Sequence, residues 1–126
     1  MQFFLPNRCP SCKNEGKKIK YENILANLRT IENLDQSKEY FYCKNPACDV
    51  VYFCGLQTWH NADLIRPTAA KSRDLEATVC YCFDYRIKDI NTHSYTAYKE
   101  KKAKGCACGI RNPSGKCCHA LFKSFL

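Results

Sequence analysis

Eleven cysteines fall within 126 residues, and their placement constrains this chain more than any other property it has. At about nine per cent, that content is close to the level at which cysteine chemistry dominates a small fold. A chain of this length can bury a modest core without staples. The thiols therefore serve more than stability, either as a disulfide framework in an oxidising compartment or as thiolate ligands in a reducing one.

The second use fits better. The odd count leaves at least one cysteine outside any intramolecular disulfide. The stretch Met1-Gln2-Phe3-Phe4-Leu5-Pro6-Asn7-Arg8 lacks the basic and apolar regions of a secretory leader, and no apolar run approaches the ~20 residues of a membrane span. A cytoplasmic protein with no membrane partner is the expectation. The formal charge of +8 counts thiols as neutral. Eight ligating thiolates with one Zn²⁺ and an oxidised two-iron core bring it to about +4, so the basicity is weak ground for expecting nucleic acid.

Cys9, Cys12, Cys43 and Cys48 lie in the first half of the chain. Cys80, Cys82, Cys106, Cys108, Cys117 and Cys118 lie in the second, with Cys54 between. The two groups differ in spacing and describe two different sites. Lys17 to Tyr21 alternates as a short strand does. Asn23 then reads as the N-cap of a short helix whose Ile24, Leu25 and Leu28 share a face. Glu39 to Cys43 and Asp49 to Phe53 read as the strands of a hairpin around Lys44-Asn45-Pro46-Ala47. Trp59 to Thr78 reads as a linking loop with one short strand near Leu64 to Arg66. Val79 to Phe83 is extended, Asp84 to Ala103 is helical in pieces, and Gly105 is placed as a helix stop. Ser114 is positioned to cap a last helix bearing Cys118, Leu121, Phe122 and Phe125.

Cys9-Pro10-Ser11-Cys12 is a C-x₂-C knuckle, and Cys43-Lys44-Asn45-Pro46-Ala47-Cys48 is C-x₄-C. Both fall within the ligand spacings of structural zinc, and together they describe a tetrahedral Cys₄ zinc ribbon. A redox dithiol at Cys9 and Cys12 leaves Cys43 and Cys48 without a purpose. A closed Cys₄ zinc site is structural.

Cys80-Tyr81-Cys82 places two thiolates on one side of an extended chain. Further ligands come from Cys106-Ala107-Cys108 and from the adjacent Cys117 and Cys118, of which one faces the same centre. Four ligands among six candidates suit a two-iron cluster, in which each iron takes two thiolates. A second Cys₄ zinc site could use the same sulfurs.

The ordered set Cys9-Pro10-Ser11-Cys12, Cys43-Lys44-Asn45-Pro46-Ala47-Cys48 leading to Val50-Val51-Tyr52-Phe53, Val79-Cys80-Tyr81-Cys82-Phe83, Cys106-Ala107-Cys108 and Asn112-Pro113-Ser114-Gly115-Lys116-Cys117-Cys118 resembles the N-terminal domain of CopZ-type copper chaperones. The resemblance spans nearly the whole chain. It implies one zinc centre and one [2Fe–2S] cluster, and electron transfer that reduces Cu(II) to Cu(I). Carried over position by position, it places zinc on Cys9, Cys12, Cys43 and Cys48, and the cluster on Cys80, Cys82, Cys108 and Cys118. The chaperones also carry a C-terminal domain with an M-x-C-x-x-C copper loop, which does not occur in these residues.

The fold expected is a small single α+β domain, with a zinc-ribbon-like hairpin subdomain in residues 1–58 and a helical [2Fe–2S]-binding half in residues 79–126. The function expected is one-electron transfer linked to copper handling, with a redox partner protein and a copper chaperone or copper ions as partners. The competing function is a two-zinc module that contacts nucleic acid or protein. No phosphate loop, dinucleotide fingerprint or Ser/His/Asp set points to hydrolytic or nucleotide chemistry. Cys54 reads as a small core residue, His60 as a surface residue, and His119 as a neighbour packed beside the cluster. Lys99-Glu100-Lys101-Lys102-Ala103-Lys104 reads as a solvated helix face that could also steer an acidic partner.

Overall fold

The structure is a computed structural model and describes residues 7–126. The leader reading of Met1 to Arg8 falls mostly outside the described residues. Four short antiparallel strands form one sheet in the order β1 (Lys17–Ile19), β2 (Tyr40–Tyr42), β3 (Val50–Cys54) and β4 (Gln57–His60). Helix α1 (Tyr21–Asn27) follows β1. A second sheet pairs β5 (Thr78–Cys80) with β6 (Tyr85–Arg86). Helices α2 (Thr92–Ala103), α3 (Cys108–Arg111) and α4 (His119–Ser124) complete the chain. The expected small domain of mixed helices and antiparallel strands is what is found.

The hairpin β2–β3 carries the architecture because its residues are aromatic or β-branched. Successive side chains of a strand face opposite ways. Tyr40 and Tyr42 therefore join Ile19, Ile24, Leu28, Tyr52 and Leu64 in one cluster, while Phe41 and Cys43 join Cys9, Cys48, Val50 and Phe53 in another. The alternation breaks in β3, where Val51 and Tyr52 both face the α1 cluster and Val50 and Phe53 the cysteine cluster. The β3–β4 register shifts between Val50 and Tyr52, the irregularity by which a bulge re-aims side chains.

Several expectations need correction. Asn23 does not cap α1. The residue before the helix is Lys20, and Asn23 lies inside it, buried, donating to backbone carbonyls of α3 and the turn after it. Leu25 is exposed, so the buried face is Ile24 with Leu28. Trp59 and His60 belong to β4 and not to a loop, because a two-residue turn with Gly55 at φ 62° folds Gln57 back onto Cys54. Leu64 forms only an isolated bridge to Leu28. Tyr85 and Arg86 pair with β5 and are not helical. Ser114 donates its backbone N–H and its hydroxyl to the Asn112 side chain, and Cys118 takes the position before α4.

Helix α2 begins at Asn91, whose side chain accepts from the Ser94 N–H at 2.8 Å while the Ser94 hydroxyl accepts from the Asn91 N–H at 2.9 Å. This reciprocal box satisfies two otherwise free donors. The helix ends before Gly105, which takes φ 124°. Its single buried side chain, Tyr98, stacks on Phe122 of α4 with ring centroids 4.2 Å apart.

Candidate metal centres

The Cys9–Cys12 knuckle is closed by backbone bonds from Lys13 N–H to Cys9 O at 2.9 Å and from Cys9 N–H to Asn14 O at 2.9 Å. Lys13 takes the left-handed φ of 67° that the tight turn requires. Across from it, the Ala47 N–H donates to the Asn45 side chain at 3.0 Å, and the Cys48 N–H to the Asn45 carbonyl at 3.1 Å, shaping the loop between β2 and β3. Lys71 clamps that loop from outside through Asn45 O at 2.7 Å and Cys48 O at 3.0 Å. All four sulfurs, of Cys9, Cys12, Cys43 and Cys48, lie within 4.8 Å of one another.

Such a set suits a tetrahedral thiophilic ion. Burial pushes the Cys9 thiol up and Cys43 up to about 12. Burial also opposes ionisation of Cys12, but the Asn14 N–H and the Cys43 thiol outweigh it and bring Cys12 down to about 6. One thiolate is thus ready for a cation, and the others ionise as the metal displaces their protons.

The second group is arranged differently. Cys82 Sγ lies 3.8 Å from Cys108 Sγ, and Cys108 Sγ lies 4.0 Å from Cys118 Sγ. The contact with Cys118 pulls Cys80 down, and that contact, followed by burial, pushes Cys118 well up. Burial raises Cys108 to about 12. Among the described residues, no three of these sulfurs gather as closely as the first set does. The thiols run as a chain of neighbours rather than a tetrahedron.

Cys80, Cys108 and Cys118 are buried and Cys82 is half-buried, whereas Cys106 and Cys117 are exposed. Cys80-Tyr81-Cys82 is not fully extended. Cys80 ends β5 and Cys82 lies in the turn to β6, where the Phe83 N–H reaches back to Cys80 Sγ at 3.4 Å. The Ala107 N–H donates to Cys82 Sγ at 3.2 Å, and the Tyr98 hydroxyl lies 3.1 Å from Cys118 Sγ. Spacing had singled out none of these three partners. Tyr98 carries a trace in the helical periodicity of α2, but backbone donors leave no mark on composition.

The remaining candidates behave as bystanders. His60 Nδ1 lies 2.9 Å from an Asp49 oxygen at the surface. His119 meets the Tyr95 hydroxyl at 2.7 Å and packs edge-on against Tyr98. Cys54 is half-buried against the α1 cluster.

Residues 6–65 match the zf_CopZ family, described as a zinc binding domain. The copper chaperone CopZ of Archaeoglobus fulgidus is 29% identical over 118 residues, which cover 89% of this chain and 58% of that protein. The chain thus spans well under two thirds of that relative's length. The X-ray structure of the Archaeoglobus fulgidus CopZ N-terminal domain superposes with a TM-score of 0.71 at 26% identity, covering 93% of this chain and 95% of that one. The chain resembles a CopZ N-terminal domain almost end to end. The CopZ zinc match falls on the half that holds the four gathered cysteines, so family and geometry agree on zinc binding there. The CopZ relative is a copper chaperone. Among the described residues, no helix is long and apolar enough to cross a membrane.

Proposed function

We propose that this chain is a one-electron carrier in cytoplasmic copper handling, with structural zinc on Cys9, Cys12, Cys43 and Cys48 and a [2Fe–2S] cluster on Cys80, Cys82, Cys108 and Cys118. On this reading residues 1–58 are the zinc half and residues 79–126 the iron–sulfur half. The supporting observation is that four of the last six thiols are buried or half-buried, three of them (Cys82, Cys108 and Cys118) linked sulfur to sulfur, while the other two face solvent.

The donor set fits a cluster. It is all thiolate, it is arranged as neighbours rather than around one point, and backbone N–H groups of Phe83 and Ala107 point at the sulfurs. Bound there, a two-iron cluster supplies a one-electron couple, such as reduction of Cu(II) to Cu(I) requires. The residues supply the setting. Tyr98, Phe122 and Val79 exclude water, being almost wholly buried. The two N–H groups and the Tyr98 hydroxyl stabilise negative charge on sulfur. Lys102 brings its ammonium within 3.8 Å of Cys108 Sγ at the open side. A redox partner protein would meet that side.

Protein purified without oxygen tests the reading. Red-brown protein with about two irons and two acid-labile sulfides per chain, and a paramagnetic signal after dithionite, supports it. Colourless protein with two zinc ions and no sulfide overturns it in favour of a two-zinc binding module.

A further inference from the structure

The positive charge of this chain is unevenly placed. Residues 90–126 contain seven Lys or Arg against one acidic residue, Glu100, a formal +6 of the chain's +8. A two-iron cluster on four thiolates would bring only about −2 to that half. Each ion pair among the described residues lies before residue 90, so none of those seven cations pairs with a carboxylate. Four of the seven, Lys99, Lys101, Lys102 and Lys104, lie in the last turns of α2 or directly after it. Lys99, Lys101 and Lys104 are exposed and Lys102 is half-buried. The helix dipole favours cations in a last turn, yet like charges three residues apart, Lys99 with Lys102 and Lys101 with Lys104, repel. Helix stability alone does not select this arrangement.

Tyrosines hold three of these ammoniums in place. Lys99 lies over the Tyr95 ring at 4.7 Å and Lys102 over the Tyr98 ring at 5.8 Å. Lys101 lies over the Tyr85 ring at 4.9 Å and donates to its hydroxyl at 2.9 Å. Lys102 Nζ is also 3.8 Å from Cys108 Sγ, so a protein seated on these lysines lies beside the second group of thiols. We propose that Lys99, Lys101 and Lys104, with Lys102 between them, form the docking surface for an acidic one-electron carrier protein. This rests on the electron-transfer reading above and names where its electron arrives. Each encounter passes one electron from the reduced carrier to this chain, enough to convert one Cu(II) to Cu(I), and leaves the carrier oxidised. The occupant is an acidic protein and not nucleic acid. Bases stack on open aromatic faces, whereas the rings of Tyr85, Tyr95 and Tyr98 each lie under an ammonium. Carboxylates need only the ammoniums, and such a charged surface steers the small, short-lived contacts that electron carriers make.

The test measures association of the protein, as purified without oxygen, with immobilised plant-type [2Fe–2S] ferredoxin, an acidic carrier. Iron, sulfide and zinc are measured on the same sample. Changing Lys99→Gln, Lys101→Gln and Lys104→Gln together should slow association by about 10-fold or more. Changing Lys18→Gln, Lys20→Gln and Lys38→Gln removes as much charge from the other half and should leave association near wild type. Salt at about 1 M, where screening acts over about 3 Å, should abolish wild-type binding. Carbodiimide coupling of the wild-type pair needs no mutation and should join ferredoxin carboxylates to Lys99, Lys101 or Lys104. The proposal is overturned if wild type does not bind the ferredoxin, if the α2 variant associates as wild type does, or if the control variant is slowed as much. It is equally overturned if coupling falls on lysines of the first half, or if a short DNA duplex binds the α2 lysines and displaces the ferredoxin. Protein purified without iron overturns the cluster reading, while association and coupling still decide the docking surface.

Discussion

The hydroxyl of Tyr98 lies 3.1 Å from the Sγ of Cys118, and both residues are almost wholly buried. A hydrogen bond to a ligating thiolate favours the more negative, reduced state of a cluster. In Tyr98→Phe the ring can keep its stack on Phe122 while the donor is lost. If the proposed cluster is bound, the expected outcome is unchanged iron content and a reduction potential lower by about 40 mV, the equivalent of ~1 kcal/mol for one electron. An EPR-monitored redox titration measures it, and an unmoved potential would show that the contact is only packing.

Gly16 sits against the cysteine cluster of the first half. A Cβ there would lie 2.6 Å from the Phe53 ring and 3.0 Å from the Tyr42 carbonyl. Phe53 is fully buried and stacked on Phe41, so the ring has little room to yield. Gly16→Ala should cost about 1–3 kcal/mol. Denaturant unfolding reads the loss, and faster zinc release to a chelator should accompany it.

Asn23 ties the two halves together. Its Nδ2 donates to Ile110 O at 2.6 Å and Asn112 O at 2.7 Å, at the end of the single-turn helix that carries Cys108. Tyr52 adds a bond from its hydroxyl to Pro113 O at 2.8 Å. Asn23→Ala strands buried carbonyls and should cost about 2–3 kcal/mol. Iron content should fall with it although no thiol is touched, and iron retained at wild-type level would sink the coupling.

Glu76 accepts from Arg86 at 2.6 Å and Lys88 at 2.9 Å. Hydrogen bonds from Lys88, then Arg86, hold its carboxyl below the ordinary range. A depressed folded value means the contribution is fully present above the unfolded value of about 4.3 and is lost as pH falls through the folded one. Glu76→Gln should therefore lower Tm slightly at pH 7. The gap to wild type should close in strong acid and shrink in 1 M salt. Comparing the two proteins at each pH cancels their shared loss of zinc.

The cysteine spacing made the first centre legible, because C-x₂-C and C-x₄-C each close locally and only the hairpin had to bring them together. The hairpin was legible for the same reason, being two aromatic runs around a Pro-containing turn. β4 was not, because Gln57-Thr58-Trp59-His60 is an edge strand with polar residues on both sides and follows β3 through the single signal of Gly55. Asn23 was misread because a cap and a long-range tether use the same amide, and only the position of α3, 85 or more residues away, separates them. The four buried or half-buried thiols of the second half coincide with those the resemblance had picked. Spacing alone could not rank Cys108 over Cys106, since burial depends on Tyr98 and Phe122 from other helices.

Helix α2 fully buries one side chain in twelve residues, Tyr98, and the half-buried Tyr95 one turn earlier joins it against α4. Amide hydrogen exchange should register this. A helix held along so short a seam opens by detaching as a unit, and its protection should rise and fall with the occupancy of the thiol cluster that Tyr98 touches. The β2–β3 amides, enclosed by two side-chain clusters, should stay protected through the same cycle.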